Sequence, residues 1–163
     1  MDTKQAIKTS LAQADFIWTG YLADLTDKDL LTRACKGSNH IAWQLGHLIQ
    51  SERYFIDKIA PGKATALPGD FNPRHTKEMA TVDEGEKFLK KDDYIKYAKQ
   101  VRADALKVLD SLSEADLAKP AGPGMPPFLK SVGDVFVFLG SHWIMHAGQW
   151  AIIRRSIGKP PLF

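Results

Sequence analysis

The chain has one cysteine among 163 residues, so it cannot close an internal disulfide. That fits a reducing, cytoplasmic setting. It also lacks a dominant charge: 22 basic and 19 acidic residues leave a net charge of +3. No Lys/Arg tract resembles a nucleic-acid footprint. Lys90-Lys91 is answered at once by Asp92-Asp93, and Arg154-Arg155 suits the end of a helix, where cations complement the dipole. Nucleic acid is therefore not expected as a partner. The start, Met1-Asp2-Thr3-Lys4, lacks the basic-then-apolar pattern of a signal peptide. No segment alternates apolar and polar residues long enough to demand a strand.

One stretch, residues 135–153, runs 19 residues without Asp, Glu, Lys or Arg, which is long enough to span a bilayer. It also holds Ser141, His142, His146 and Gln149, which are costly in lipid. A bundle helix buried on most faces has the same composition, so no membrane is expected.

Helical periodicity accounts for most of the chain. Ile7, Leu11, Ala14, Trp18, Tyr21 and Leu25 predict a first helix over residues 3–23. A second is expected over residues 39–59, capped by Ser38 or Asn39 and stopped by Pro61-Gly62. Residues 60–92 carry Pro61, Pro68 and Pro73 and no sustained period. A segment this long is a crossover or a functional loop, with a short helical turn near residues 82–88. Tyr94, Ala98, Val101, Ala105, Val108 and Leu112 predict a third helix over residues 93–112, capped by Asp92 or Asp93. Six of the eight residues from Pro120 to Pro127 are Pro or Gly, so no helix crosses them. The last helix is expected over residues 131–157, ended by Gly158 and Pro160-Pro161. The segments Leu25-Thr26-Asp27-Lys28-Asp29-Leu30 and Leu112-Ser113-Glu114-Ala115-Asp116-Leu117 form a faint repeat. In each, Thr26 or Ser113 can cap a short turn.

The last helix carries the chemistry. Its stripe reads Val132, Val135, Leu139, His142, His146, Gln149, Ile153, so two imidazoles stand at core-facing positions one turn apart. That spacing lets both rings reach one ion. Buried histidines can instead be satisfied by ordinary hydrogen bonds. A third ligand would come from a facing helix. His40 and His47 lie two turns apart, about 10 Å along the axis, too far to share one ion. His40 stands at the helix start and is expected to be exposed, and His75 lies in the Pro/Gly-rich loop. His47, in mid-helix, is favoured because rigid elements build better-defined sites. Gln149, Glu52 and Asn39 are candidates to orient the ligands. Trp43, Trp143 and Trp150 are candidates to line a pocket, or are simply core. Cys35 has no nucleophile partner in view and reads as structural.

The stretches Asn39-His40-Ile41-Ala42-Trp43-Gln44-Leu45-Gly46-His47 and His142-Trp143-Ile144-Met145-His146-Ala147-Gly148-Gln149 resemble the two metal motifs of the DinB/YfiT-like superfamily. The tail from Arg154 to Pro161 is similar to that family's ending. The resemblance implies a single-domain, all-α, up-down-down-up four-helix bundle with a long crossover between the second and third helices. It implies one divalent metal, zinc or nickel, held by His47, His142 and His146. It further implies a homodimer acting on a small molecule, as a hydrolase or as a transferase of low-molecular-weight thiols. Three neutral imidazoles would leave the ion its charge and an open position, the pattern of catalytic sites. Such a site acidifies bound water towards a pKa of about 7 or holds a thiol as thiolate. The ligands alone do not separate these enzyme classes from each other, nor from a non-catalytic sensor or binding protein. The family shares no dependable general base, and the loop at residues 61–92 is a candidate lid.

Overall fold

The computed structural model describes residues 2–162. Four long helices, α1 (Thr3–Leu22), α2 (Ile41–Ile59), α3 (Lys91–Ser111) and α5 (Val132–Ser156), pack around one another, and a single turn, α4 (Glu114–Leu117), precedes the last. Among the described residues the only β feature is an isolated bridge between Pro120 and Ser131. None of the described helices is long and apolar enough to cross a membrane.

Side-chain contacts set the helix directions. Leu11 lies against Gly140, Trp18 against Trp143 and Tyr21 against Arg154, so α1 and α5 run parallel. Gln44 meets Trp150, His47 meets His142 and Phe55 meets Phe138, so α2 and α5 run antiparallel. The amino-terminal half of α2 shares its apolar cluster with Tyr94, Ala98 and Val101, and Phe55 and Ile56 share theirs with Ala105, Val108 and Leu109. Helices α2 and α3 are therefore parallel, which requires the long crossover between them. The order is up-down-down-up.

The two apolar clusters meet at a polar layer. There Arg102 lies 3.1 Å from Glu52 Oε1 and 3.5 Å from Asp15, and the Trp143 indole N–H donates to Glu52 Oε2 at 2.7 Å. Burial pushes the Glu52 carboxyl up to about 7, opposed by the Arg102 charge and the Trp143 bond.

The helix ends differ from expectation where tertiary partners do the capping. The cap of α2 is His40, not Ser38 or Asn39: its Nδ1 accepts from Trp43 N at 3.1 Å. The ring is fully buried rather than exposed, because the crossover covers it and its Nε2 donates to Val82 O at 2.9 Å. Helix α3 starts at Lys91, two residues early. Asp27 accepts from Lys91 N at 2.7 Å, and Asp92 and Asp93 fall in the first turn instead of the cap position. The faint repeat has a structural counterpart. Thr26 and Asp29, and likewise Ser113 and Asp116, bond each other's backbone N–H reciprocally. Residues 85–87 form the short turn expected near there, as a 3-10 helix. Cys35 is exposed, and the turn around it is held by Ser38.

The crossover is anchored rather than loose. Phe71 and His75 are buried. His75 donates from Nδ1 to Phe71 O, and its Nε2 accepts from the Tyr94 hydroxyl, both at 2.7 Å. Its ring lies flat on Gly46 of α2, where an added Cβ would come within 2.0 Å. Replacing Gly46 by alanine should therefore push the crossover off α2 and destabilise the fold by about 2–3 kcal/mol. Urea unfolding of Gly46→Ala tests this, and an unchanged midpoint would contradict it.

Candidate metal centre

The three histidines singled out from the sequence come together in the α2–α5 seam. His142 and His146 project from successive turns of α5 and His47 faces them from α2. One ring nitrogen from each lies within 4.8 Å of the others. The Nε2 atoms of His47 and His142 are 3.3 Å apart. Nitrogens bound to one tetrahedral ion at about 2.0–2.1 Å sit about 3.3–3.4 Å from each other, so the His47–His142 pair already has that spacing, and the third nitrogen lies within 4.8 Å of both.

Burial keeps these rings neutral, as a ligand must be. It lowers the pKa of His47. Burial, with the neighbouring imidazoles, holds His142 down to about 3 and His146 to about 4. At neutral pH all three offer lone pairs.

Gln44 fixes which nitrogen of His146 is available. The Trp150 indole can only donate, and it donates to Gln44 Oε1 at 2.8 Å. The Gln44 amide NH₂ faces two acceptors, Asn39 O at 2.6 Å and Gln149 Oε1 at 3.2 Å. The amide can therefore stand only one way round. Its oxygen also lies 2.9 Å from His146 Nδ1, which must carry the proton and donate. The Nε2 lone pair of His146 is left facing the other two rings. This is how outer groups orient metal ligands.

The orienting candidates read from the sequence thus sort unequally. Asn39, through its backbone carbonyl, and Gln149, through its side chain, accept from the Gln44 amide. Glu52 is bonded to Arg102 and Trp143. Gln44 itself was missed. Its signal was a polar residue inside the apolar run Ile41-Ala42-Trp43-Gln44-Leu45, one turn before His47. The alternative ligands His40 and His75 are occupied elsewhere, each with both ring nitrogens bonded.

Of the tryptophans, Trp43 is the one beside a ligand. It stacks on His47 with centroids 5.4 Å apart and planes 4° from parallel. Its N–H donates to Thr76 O at 2.8 Å, tying the crossover to the edge of the site. Trp143 and Trp150 are core, their N–H groups spent on Glu52 and Gln44. A cavity of about 390 Å³, lined in part by Gln50, Tyr54, Asn72 and Thr76, opens between α2 and the crossover, and Gln50 lies one turn beyond His47.

A family model for the DinB superfamily matches residues 11–150 of the chain. The fold is similar to a crystal structure of the conserved protein of locus from Enterococcus faecalis, with a TM-score of 0.70 at 19% identity. That match covers 98% of this chain and 99% of the other. No curated protein matches the sequence.

Replacing Gln44 by leucine should free His146 to change tautomer and weaken metal binding about 10–100-fold. Competition with a chromophoric chelator measures this, with circular dichroism checking the fold. Wild-type affinity in Gln44→Leu would contradict the orienting role.

Proposed function

The chain belongs to the DinB superfamily, and from that we propose a metal-dependent enzyme that holds one divalent ion, zinc or nickel, through His47, His142 and His146. The observation that carries the proposal is the convergence of three neutral imidazoles, one of them locked by Gln44 with its lone pair inward. When bound, the ion would supply a Lewis acid with an open position, able to activate water or to hold a low-molecular-weight thiol as its thiolate.

The chain's own residues would do the rest. His47, His142 and His146 stay unprotonated because burial disfavours their charged forms. Trp43 and Phe138 cover the faces of His47 and His142 and keep water from the outer sides of the rings. Glu52 is the buried carboxylate of α2, and its commitment to Arg102 and Trp143 removes it as a general base. A coordinated thiol and a coordinated water both lose a proton without a dedicated base, so thiol transfer and hydrolysis are separated by substrate and not by this residue. A homodimer and a small-molecule substrate complete the proposal.

Purified protein should contain about one zinc or nickel per chain, as the three-ligand set requires. It should join a thiol to an epoxide or alkyl halide, lose that activity on chelation, and regain it with added metal. Ester or amide cleavage in its place would support the hydrolase reading. Absence of stoichiometric metal would contradict both. Metal whose removal lowers the melting temperature, with no turnover in either screen, would point to a binding protein instead.

A further inference from the structure

The surface next to the three imidazoles is aromatic, and its construction bears on what the site accepts. Phe138 lies one turn before His142 on α5. The two rings stack with centroids 4.9 Å apart and planes 19° from parallel. Phe55 supports Phe138 edge-on from the core side at 5.7 Å. From the other side Phe128, in the loop between α4 and α5, meets Phe138 at 5.4 Å with planes at 63°. The three rings His142, Phe138 and Phe128 form a continuous run from a proposed metal ligand to solvent.

Phe128 is 61% exposed, although the loop that carries it is well held. The next residue, Leu129, is buried in the apolar cluster of the lower bundle. The loop is closed by Ala121 N donating to Lys130 O at 3.0 Å and Val132 N donating to Lys119 O at 2.9 Å. The Tyr54 hydroxyl of α2 donates to Gly124 O at 3.4 Å, tying the loop to the helix that carries His47. A phenyl ring held in water by an anchored loop, in contact with the ring that stacks on a metal-centre histidine, has the character of a recognition surface.

We propose that Phe128 and Phe138 form an apolar shelf that selects substrates carrying an aryl or bulky alkyl arm next to the group that reaches the open position. This rests on the metal-centre reading above. Phe138 stacks on His142 and Phe128 stands at 63° to it with its ring exposed, so an apolar arm extending outward from the site would meet Phe128. Such ring pairs contribute modestly per contact, so the effect should appear as a preference and not as an absolute requirement.

Acetohydroxamate and benzohydroxamate are suitable probes, since both present the same metal-binding group and differ in the arm. Calorimetry on the zinc-loaded protein should show benzohydroxamate binding about three- to tenfold more tightly, the scale of one aromatic contact. Phe128→Ala, at an exposed position, should lose most of that preference while keeping the wild-type affinity for acetohydroxamate. Equal affinities for the two probes in the wild type, or a preference that survives in Phe128→Ala, would overturn the shelf. A changed sedimentation coefficient in Phe128→Ala with the preference intact would overturn it too, by assigning the ring to contact with a second copy. Protein that takes up one zinc per chain yet binds neither probe would refute the shelf alone. Protein that takes up no zinc would refute the metal-centre reading and the shelf with it.

Discussion

Three imidazole rings stand where a bundle seam would ordinarily place leucine, and each must remain uncharged there. Burial enforces that, lowering the pKa of all three. Each neutral ring carries one N–H and one nitrogen lone pair. The close approach of His47 and His142 accommodates one hydrogen bond at most. His146 cannot contribute a second proton to the centre, because its Nδ1–H is committed to Gln44. That leaves the Nε2 of His146 with only a lone pair to offer the centre, which a cation among the rings would engage. The donor-only indole of Trp150 enforces this arrangement by setting the orientation of the Gln44 amide.

The same seam couples the site to the fold. The antiparallel pairing of α2 and α5 brings His47 opposite the α5 pair, and the parallel pairing of α2 and α3 requires a long crossover. That crossover is fastened at the site rather than merely passing it. His75 packs on Gly46, the residue before His47, and Thr76 accepts from Trp43, which stacks on His47. Its turns and buried anchors, Phe71 and His75, make it a wall of the neighbouring cavity. The polar layer formed by Glu52, Arg102 and Asp15 divides the core near the level of His142. It leaves the upper apolar cluster to hold Trp143, Trp150 and the loop in register.

What could be read from the sequence followed helical periodicity. The stripe on the last helix placed His142 and His146 inward, and mid-helix position favoured His47; these are the residues that the fold brings together. The boundaries that shifted are those whose caps come from distant parts of the chain. Asp27 caps α3 across the bundle, and His40 serves as the cap of α2 only because the crossover buries it. Neither partner lies within reach of a local pattern. Gln44 escaped notice for a related reason. Its importance comes from four simultaneous hydrogen bonds to Asn39, His146, Gln149 and Trp150, three of which cross to the other helix. Periodicity marks a polar residue as inward but does not say what it meets. Glu52, Cys35 and the buried tryptophans were singled out by residue type, and type alone did not distinguish a ligand-orienting carboxylate from one half of a core ion pair.

X-ray absorption at the zinc edge of the metal-loaded protein tests the central claim most directly. Three imidazole nitrogens at about 2.0–2.1 Å, with one further light atom, are the predicted shell, and His142→Ala should remove one of the three. A shell containing sulfur, a shell of oxygens alone, or an imidazole count unaffected by His142→Ala would contradict it.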